Sequence, residues 1–266
     1  MRLKIQHSTH YRFDTPVKYG LQQLRKTPKS SPQQQVIRWQ TKVKNGRKEL
    51  EFEDFHHNTT ELISFAPGTT ELSVISEGEV ALNDTHGVIG AHRGPAPLWL
   101  YLRETDRTRA KAGARSLLRG IEAAAPTLEG LHALADGIRA AVKYEVGSSH
   151  PEWSAEDAIE AGRGVCQDHT HIFLACAREM GAPARYVSGY LMLDDKTVQE
   201  AMHAWAEAHI EGLGWVGFDV SNGISPDTRY VRVATGLDYG DASPVSGSRV
   251  GGTGETLEVQ IDVAQQ

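Results

Sequence analysis

The sequence predicts an α+β fold in two parts: an antiparallel β-rich segment over residues 1–98, then a part over 99–266 in which helices come first and an antiparallel sheet follows. Three observations carry this. Up to about residue 82, apolar and polar residues alternate in short runs separated by turn signals. From about 106 to 180 the apolar spacing lengthens to three and four residues. From 184 to 219 the pattern returns to strand-like runs folded around a glycine-rich turn.

Leu3, Ile5, His7, Thr9, Tyr11 and Phe13 alternate with polar residues, as in a half-buried strand, and Ile37, Trp39, Thr41 and Val43 repeat the pattern. Asn45-Gly46 supplies a hairpin turn, after which Leu50-Glu51-Phe52-Glu53 resumes the alternation. Shorter strands at 61–65, 71–75 and 79–82 complete a sandwich or barrel, and the Gly- and Pro-rich run from Gly87 to Pro97 reads as a linker. Helices follow at about 106–121 and 127–142, the second with Leu128, Leu131, Leu134, Ala135 and Ile138 on one stripe. Ser154-Ala155-Glu156-Asp157 is a capping box opening a helix over 155–161. The next helix starts at Cys166, carries Ile172, Phe173, Cys176, Ala177 and Met180 at helical spacing, and closes at Gly181 and Pro183. A strand at 184–193 and a hairpin of 203–210 with 215–219 come after it, and Leu257, Val259, Ile261 and Val263 mark a last strand.

Residues 1–50 hold 12 Lys plus Arg against 2 acids, while 51–90 hold 8 acids and no Lys or Arg. The expected meaning is two neighbouring sets of strands with solvated faces of opposite sign. A net charge of −6 argues against a phosphate-backbone binder, so no nucleic-acid partner is expected. No apolar run of about 18 residues exists and the N-terminus lacks an uninterrupted apolar core, so the expectation is a soluble, cytoplasmic protein without a membrane partner. Two cysteines, about 15 Å of helical rise apart, do not form a disulfide framework.

Cys166 falls in a helix's first turn, where unpaired N–H groups and the macrodipole favour a thiolate, and the glycines before it leave the sulfur reachable. A thiol nucleophile needs a base and the base an orienting group. Folding the hairpin about residues 211–213 puts His203 opposite a residue between 219 and 222, within reach of Asp219. Around this trio, Asp168 either charges the helix N-terminus or orients the site, Trp205 covers the His203 and Asp219 pair or serves the core, and Asn222 caps a turn. His169 lies on the core stripe and His171 is ambiguous. Cys166, Asp168, His169, His171 and Cys176 crowd together in sequence, but helical geometry spreads them over different faces and turns, so no metal is expected. His56 and His57, as adjacent strand residues, would point to opposite faces. No Gly-x-Ser-x-Gly elbow, P-loop lysine or Gly-x-Gly-x-x-Gly fingerprint is present.

The order Cys, His, Asp resembles the transglutaminase-like branch of the papain-type cysteine enzymes. Gly164-Val165-Cys166-Gln167-Asp168, Pro183 to Tyr190, His203-Ala204-Trp205 and Gly214 to Asp219 are similar, in order, to motifs of its bacterial members. Val220-Ser221-Asn222-Gly223 departs from the Pro-Thr-Asn-Gly usual there. The resemblance implies a β-rich N-terminal domain followed by a papain- or transglutaminase-like catalytic domain, its cysteine on a helix packed against an antiparallel sheet. It also implies acyl transfer on peptide or carboxamide bonds with Cys166, His203 and Asp219 as the triad. No cofactor is implied, and the calcium sites of the animal enzymes have no counterpart. The acceptor stays open between water, giving a peptidase or amidase, and an amine, giving a cross-linking transglutaminase. A non-catalytic binding module is the third reading. The bacterial relatives incline the choice to hydrolysis of a peptide or protein substrate.

Overall fold

Alternation in the first 82 residues becomes six long strands: β1 (Arg2–Arg12), β2 (Val17–Thr27), β3 (Gln34–Lys44), β4 (Gly46–Glu53), β5 (Thr59–Phe65) and β6 (Glu71–Leu82). The computed structural model describes residues 1–119, 121, 126–193, 198, 199 and 201–266. A short β7 (Val88–Gly90) precedes α1 (Ala112–Arg119) and α2 (Leu128–Ala141). Then come β8 (Lys143–Tyr144), α3 (Ala155–Ala161), β9 (Arg163–Gly164), α4 (Cys166–Glu179), β10 (Ala184–Leu191) and β11 (Val198–Gln199). The chain finishes with β12 (His203–Ile210), β13 (Gly214–Phe218), β14 (Tyr230–Gly236), α5 (Tyr239–Ala242), β15 (Val245–Gly251) and β16 (Thr256–Gln265).

Two sheets, ordered β11-β16-β1-β6-β3 and β15-β2-β5-β4, face each other across Tyr11, Phe13, Leu24, Ile63, Phe65 and Leu72. The third sheet runs β14-β10-β12-β13-β7. Both sandwich sheets are completed from the far end of the chain. β16 pairs with β1 over Leu3 to Arg12, and β15 pairs with β2, so residues 245–265 lie with the strands that precede the expected boundary at residue 98.

The Asn45-Gly46 turn differs from expectation. Asn45 takes the left-handed conformation at φ 61°, but β3 pairs with β6 and β4 with β5, so the turn carries the chain from one sheet to the other. β4 is consequently an edge strand with Leu50 and Phe52 exposed on it. The expected linker contains β7, an edge strand of the third sheet. The expected helix over 106–121 begins only at Ala112, and Gly120 lies outside the described residues. Before Ala112, Thr105 and Thr108 exchange hydroxyl and backbone bonds, the local competition by which threonine displaces a helical turn. The Glu156 carboxylate of α3 then caps α1, accepting from the N–H groups of Lys111, Gly113 and Ala114 at 2.9 Å each.

Charge asymmetry resolves into cross-strand pairs. Arg38 of β3 stands opposite Glu79 of β6 and pairs with it, Lys42 reaches Glu77 at 2.6 Å, and Lys48 of β4 reaches Glu61 of β5 at 3.0 Å.

α4 is the central helix. Every residue from Asp168 to Arg178 is buried, because α1, α2 and α3 cover one side and β10 and β12 the other. Ala204, Ala206 and Ala208 of β12 join the core that encloses it, and their small side chains let helix and sheet lie close. Arg178 ties the far end of α4 down, donating to the carbonyls of Tyr101, Ala184 and Leu237 and to the Thr108 hydroxyl. Behind β12, the buried Glu207 carboxylate accepts from Arg185 at 2.5 Å and Arg232 at 2.8 Å, and Arg185 lies 3.9 Å over the Trp215 ring.

Candidate active site

The helix bearing Cys166 is set by the residues before it. Gly162 ends α3 in the left-handed conformation at φ 64°, and β9 then leads directly into α4. A Cβ at Gly164 would stand 2.7 Å from the Asp168 Cβ, so only glycine lets Asp168 fold back over the chain. Asp168 Oδ2 accepts from the Val165 N–H at 2.7 Å, the N-terminal capping role considered for it. Burial raises its pKa above the usual carboxylate value, against the opposing effect of that bond, and among the described residues Oδ1 has no partner.

The hairpin supplies the rest. Ala206 pairs with Phe218 and Ile210 with Gly214, and beyond Phe218 the chain turns, which leaves Asp219 within reach of His203 at the start of β12. His203 Nε2 lies 2.6 Å from Asp219 Oδ2. Cys166 acts on the ring as well, and with Nε2 committed to the carboxylate, Nδ1 is the nitrogen left for it. Burial by itself would lower the imidazole pKa. The charge on Cys166 and the bonds to Asp219 and Cys166 outweigh it, and the ring is pushed up to about 10.

Asp219 is buried and Oδ2 collects three donors. Besides His203, the Asn222 Nδ2 and the Tyr230 hydroxyl each donate at 2.7 Å. Burial tends to raise its pKa, but these bonds and the imidazolium charge dominate and hold the carboxyl below its usual range. Asn222 also donates its backbone N–H to Asp219 Oδ1 at 3.2 Å, within a turn where the Gly223 N–H donates to the Asp219 carbonyl at 2.8 Å. Trp205 is buried, stacked at 6.3 Å from the His203 ring and edge-on to Tyr230 at 5.4 Å. Gly189 of β10, paired with His203, makes the room: a Cβ there would come within 2.4 Å of the Trp205 ring.

Tyr230 is the group sequence reasoning missed. It opens β14, and the alternating run Tyr230 to Gly236 signals a strand, but no spacing rule ties its hydroxyl to a carboxylate eleven residues earlier.

The other residues weighed lie apart. His169 bonds Val142 O and Ser221 Oγ at 2.9 Å each, while His171 Nε2 accepts from the Tyr239 N–H at 3.2 Å. Burial, with the charges of Arg107 and Arg178, takes His171 down to about 3. Cys176 is wholly buried and its thiol pushed up to about 12 by burial. His56 and His57 fall in the turn between β4 and β5, not on a strand. His56 is buried against Asp241 at 3.3 Å, and His57 is exposed beside Glu53.

Cys166 and His203 open into a chamber of about 520 Å³. Gln167, Tyr186 and Met202 wall the side near the cysteine, and Thr9, Lys26 and Val259 of the sandwich wall the other.

Residues 115–220 match the transglutaminase-like superfamily core, and residues 3–81 match the bacterial transglutaminase-like N-terminal region. The chain belongs to the transglutaminase-like superfamily. Among relatives, an uncharacterized protein of Mycobacterium leprae is 27% identical over 286 residues that span 99% of each chain. An uncharacterized protein of Mycobacterium tuberculosis is 34% identical over 149 residues, 52% of this chain and 48% of that one. A solved structure from Cytophaga hutchinsonii, provisionally named a cysteine protease, superposes with a TM-score of 0.77 at 21% identity, covering 99% of this chain and 90% of that one. This superfamily member therefore shares with it the antiparallel β portion and the papain-type core. Among the described residues, no helix is long and apolar enough to cross a membrane.

Proposed function

We propose that this transglutaminase-like protein is a thiol-dependent acyl-transfer enzyme that hydrolyses peptide or carboxamide bonds, with Cys166 as nucleophile, His203 as acid and base, and Asp219 as the group that orients His203. The observation that carries this reading is the single line of contacts from Cys166 through the His203 ring to Asp219 Oδ2 at 2.6 Å. The Cys166 thiolate attacks the carbonyl carbon, and the negative oxygen that forms lies at the start of α4, where the Cys166 N–H is among those without an intrahelical partner. His203 Nδ1 delivers its proton to the departing nitrogen, the C–N bond breaks and a thioester remains. Neutral His203 then takes a proton from water, the hydroxide displaces sulfur, and the carboxylic acid leaves with Cys166 restored.

Asn222 and Tyr230 donate to the same Asp219 oxygen as His203 and hold it in place, which keeps the imidazole in one tautomer. Trp205 excludes water from that bond. The test offers glutamine-containing and ordinary peptides together with an excess of a primary amine and reads the products by mass. Cleaved peptide or free acid is the expected product. Amine-adducted glutamine would replace hydrolysis with cross-linking, and no product of either kind with an unreactive Cys166 would favour a binding module.

A further inference from the structure

The sandwich contributes something unusual to the chamber. β1 turns Leu3, Ile5, His7, Thr9 and Tyr11 inward, Phe13 follows it, and all six are buried, so an otherwise apolar stripe is polar at His7 and Thr9 alone. Facing that break from β2 is Lys26, fully buried at 0% exposure beside the equally buried Leu24. Lys26 Nζ donates to Thr9 Oγ1 at 2.5 Å. Thr9 in turn reaches His7 Nε2 at 3.4 Å, His7 Nδ1 reaches the Tyr190 hydroxyl at 3.2 Å, and that hydroxyl donates to the Lys26 carbonyl at 3.3 Å. The donors run one way round this loop, which fixes a neutral His7 with its proton on Nδ1. Only one of the three ammonium N–H groups is used, and among the described residues no carboxylate lies within ion-pairing distance of Nζ. The acid whose charge acts on it, Glu61, is already held by Lys48 and Thr41.

An ammonium buried without a counter-ion costs several kcal/mol, so such a group is retained where an anion completes it. Lys26 lines the same chamber as Cys166 and His203. The chamber's other cation from the sandwich, Arg249, is neutralised by Glu255 at 2.5 Å. One unpaired positive charge suits a monoanion.

We infer that Lys26, with Thr9, is a specificity-determining subsite for a carboxylate carried by the acyl substrate at a distance from the carbonyl that Cys166 attacks. The electrostatics agrees: burial takes Lys26 down to about 7, with Glu61 opposing, and a carboxylate beside it favours the charged form. The inference rests on Cys166 being the reactive thiol of the proposed enzyme.

The test needs no knowledge of the natural substrate. Cys166 is labelled with maleimides bearing a carboxylate on progressively longer alkyl spacers and, separately, with their methyl esters; rates are compared in the wild-type protein and in Lys26→Met. At the spacer that spans the chamber, the acid is expected to label wild-type protein roughly ten- to a hundredfold faster than its ester, the worth of a hydrogen bond to a charged group. Lys26→Met brings the acid-to-ester rate ratio down to about one. An acid that is no faster than its ester at every spacer overturns the inference from the wild-type protein alone, whether or not the variant folds. A preference that survives in Lys26→Met overturns it as well. Failure of both reagents to modify Cys166 contradicts the nucleophile assignment instead, so the two ideas fail in different ways.

Discussion

Replacing Asp219 with Asn tests the line of contacts at its buried end. In the wild-type protein Oδ2 accepts from His203 Nε2 at 2.6 Å and from Asn222 Nδ2 and the Tyr230 hydroxyl at 2.7 Å, while Oδ1 accepts from the Asn222 N–H at 3.2 Å. An amide has one acceptor for these two positions. With its oxygen toward the three donors, its NH2 meets the Asn222 N–H; turned over, its NH2 faces His203, Asn222 and Tyr230 together. Either way a donor confronts a donor, and the imidazolium loses its counter-charge. A lost hydrogen bond to a charged group is worth about 1.5–3 kcal/mol, or up to about a hundredfold in rate, and an unfixed tautomer extends the loss toward about 10⁴-fold. The assay is iodoacetamide labelling of Cys166 at about pH 6 and about pH 9, since a thiol alkylates through its thiolate and a neighbouring cation favours that form. With His203 held up to about 10, its charge is present at both values in the wild-type protein and is lost only as pH rises through that point. Asp219→Asn should therefore depress the low-pH rate selectively. A ratio of the two rates within about twofold of wild type, in a folded variant, would show that Asp219 does not act through His203.

Tyr230→Phe keeps the ring against Trp205 and deletes one donor to Asp219, so turnover should fall about tenfold with the melting temperature nearly unchanged; comparing kcat with thermal unfolding checks it. Cys176, buried and pushed up to about 12, should stay unmodified by iodoacetamide in the native protein and label only in denaturant, as peptide mapping will show. Glu207→Gln leaves Arg185 and Arg232 without their shared counter-charge and should cost about 3–5 kcal/mol, measurable by urea unfolding.

Much of the site is legible because it is local. Cys166 at the start of α4 and the 203–219 hairpin each follow from a single run of apolar spacing and turn residues, and the period of two fixes which hairpin residues meet. What the sequence hides is pairing between distant segments. Nothing in Asn45-Gly46 says that the flanking strands belong to different sheets, because that is decided by the partners β6 and β5. Tyr230 and Lys26 are hidden for the same reason: a tyrosine opening a strand and a lysine in a basic segment look ordinary until the fold buries them. Residues 194–197, just after the expected 184–193 strand, lie outside the described residues.

The pairing of β1 with β16 and of β2 with β15 has a consequence for the order in which a newly made chain becomes competent. Translation delivers Cys166, His203 and Asp219 before residues 245–265, and Val245, Leu257 and Val259 are part of the chamber wall. In a chain still short of β15 and β16, β12, β13 and α4 are already present, yet β1 and β2 keep open edges. Contacts this far apart in sequence also form slowly. The chamber wall is thus completed last, after Cys166, His203 and Asp219 are already in the chain.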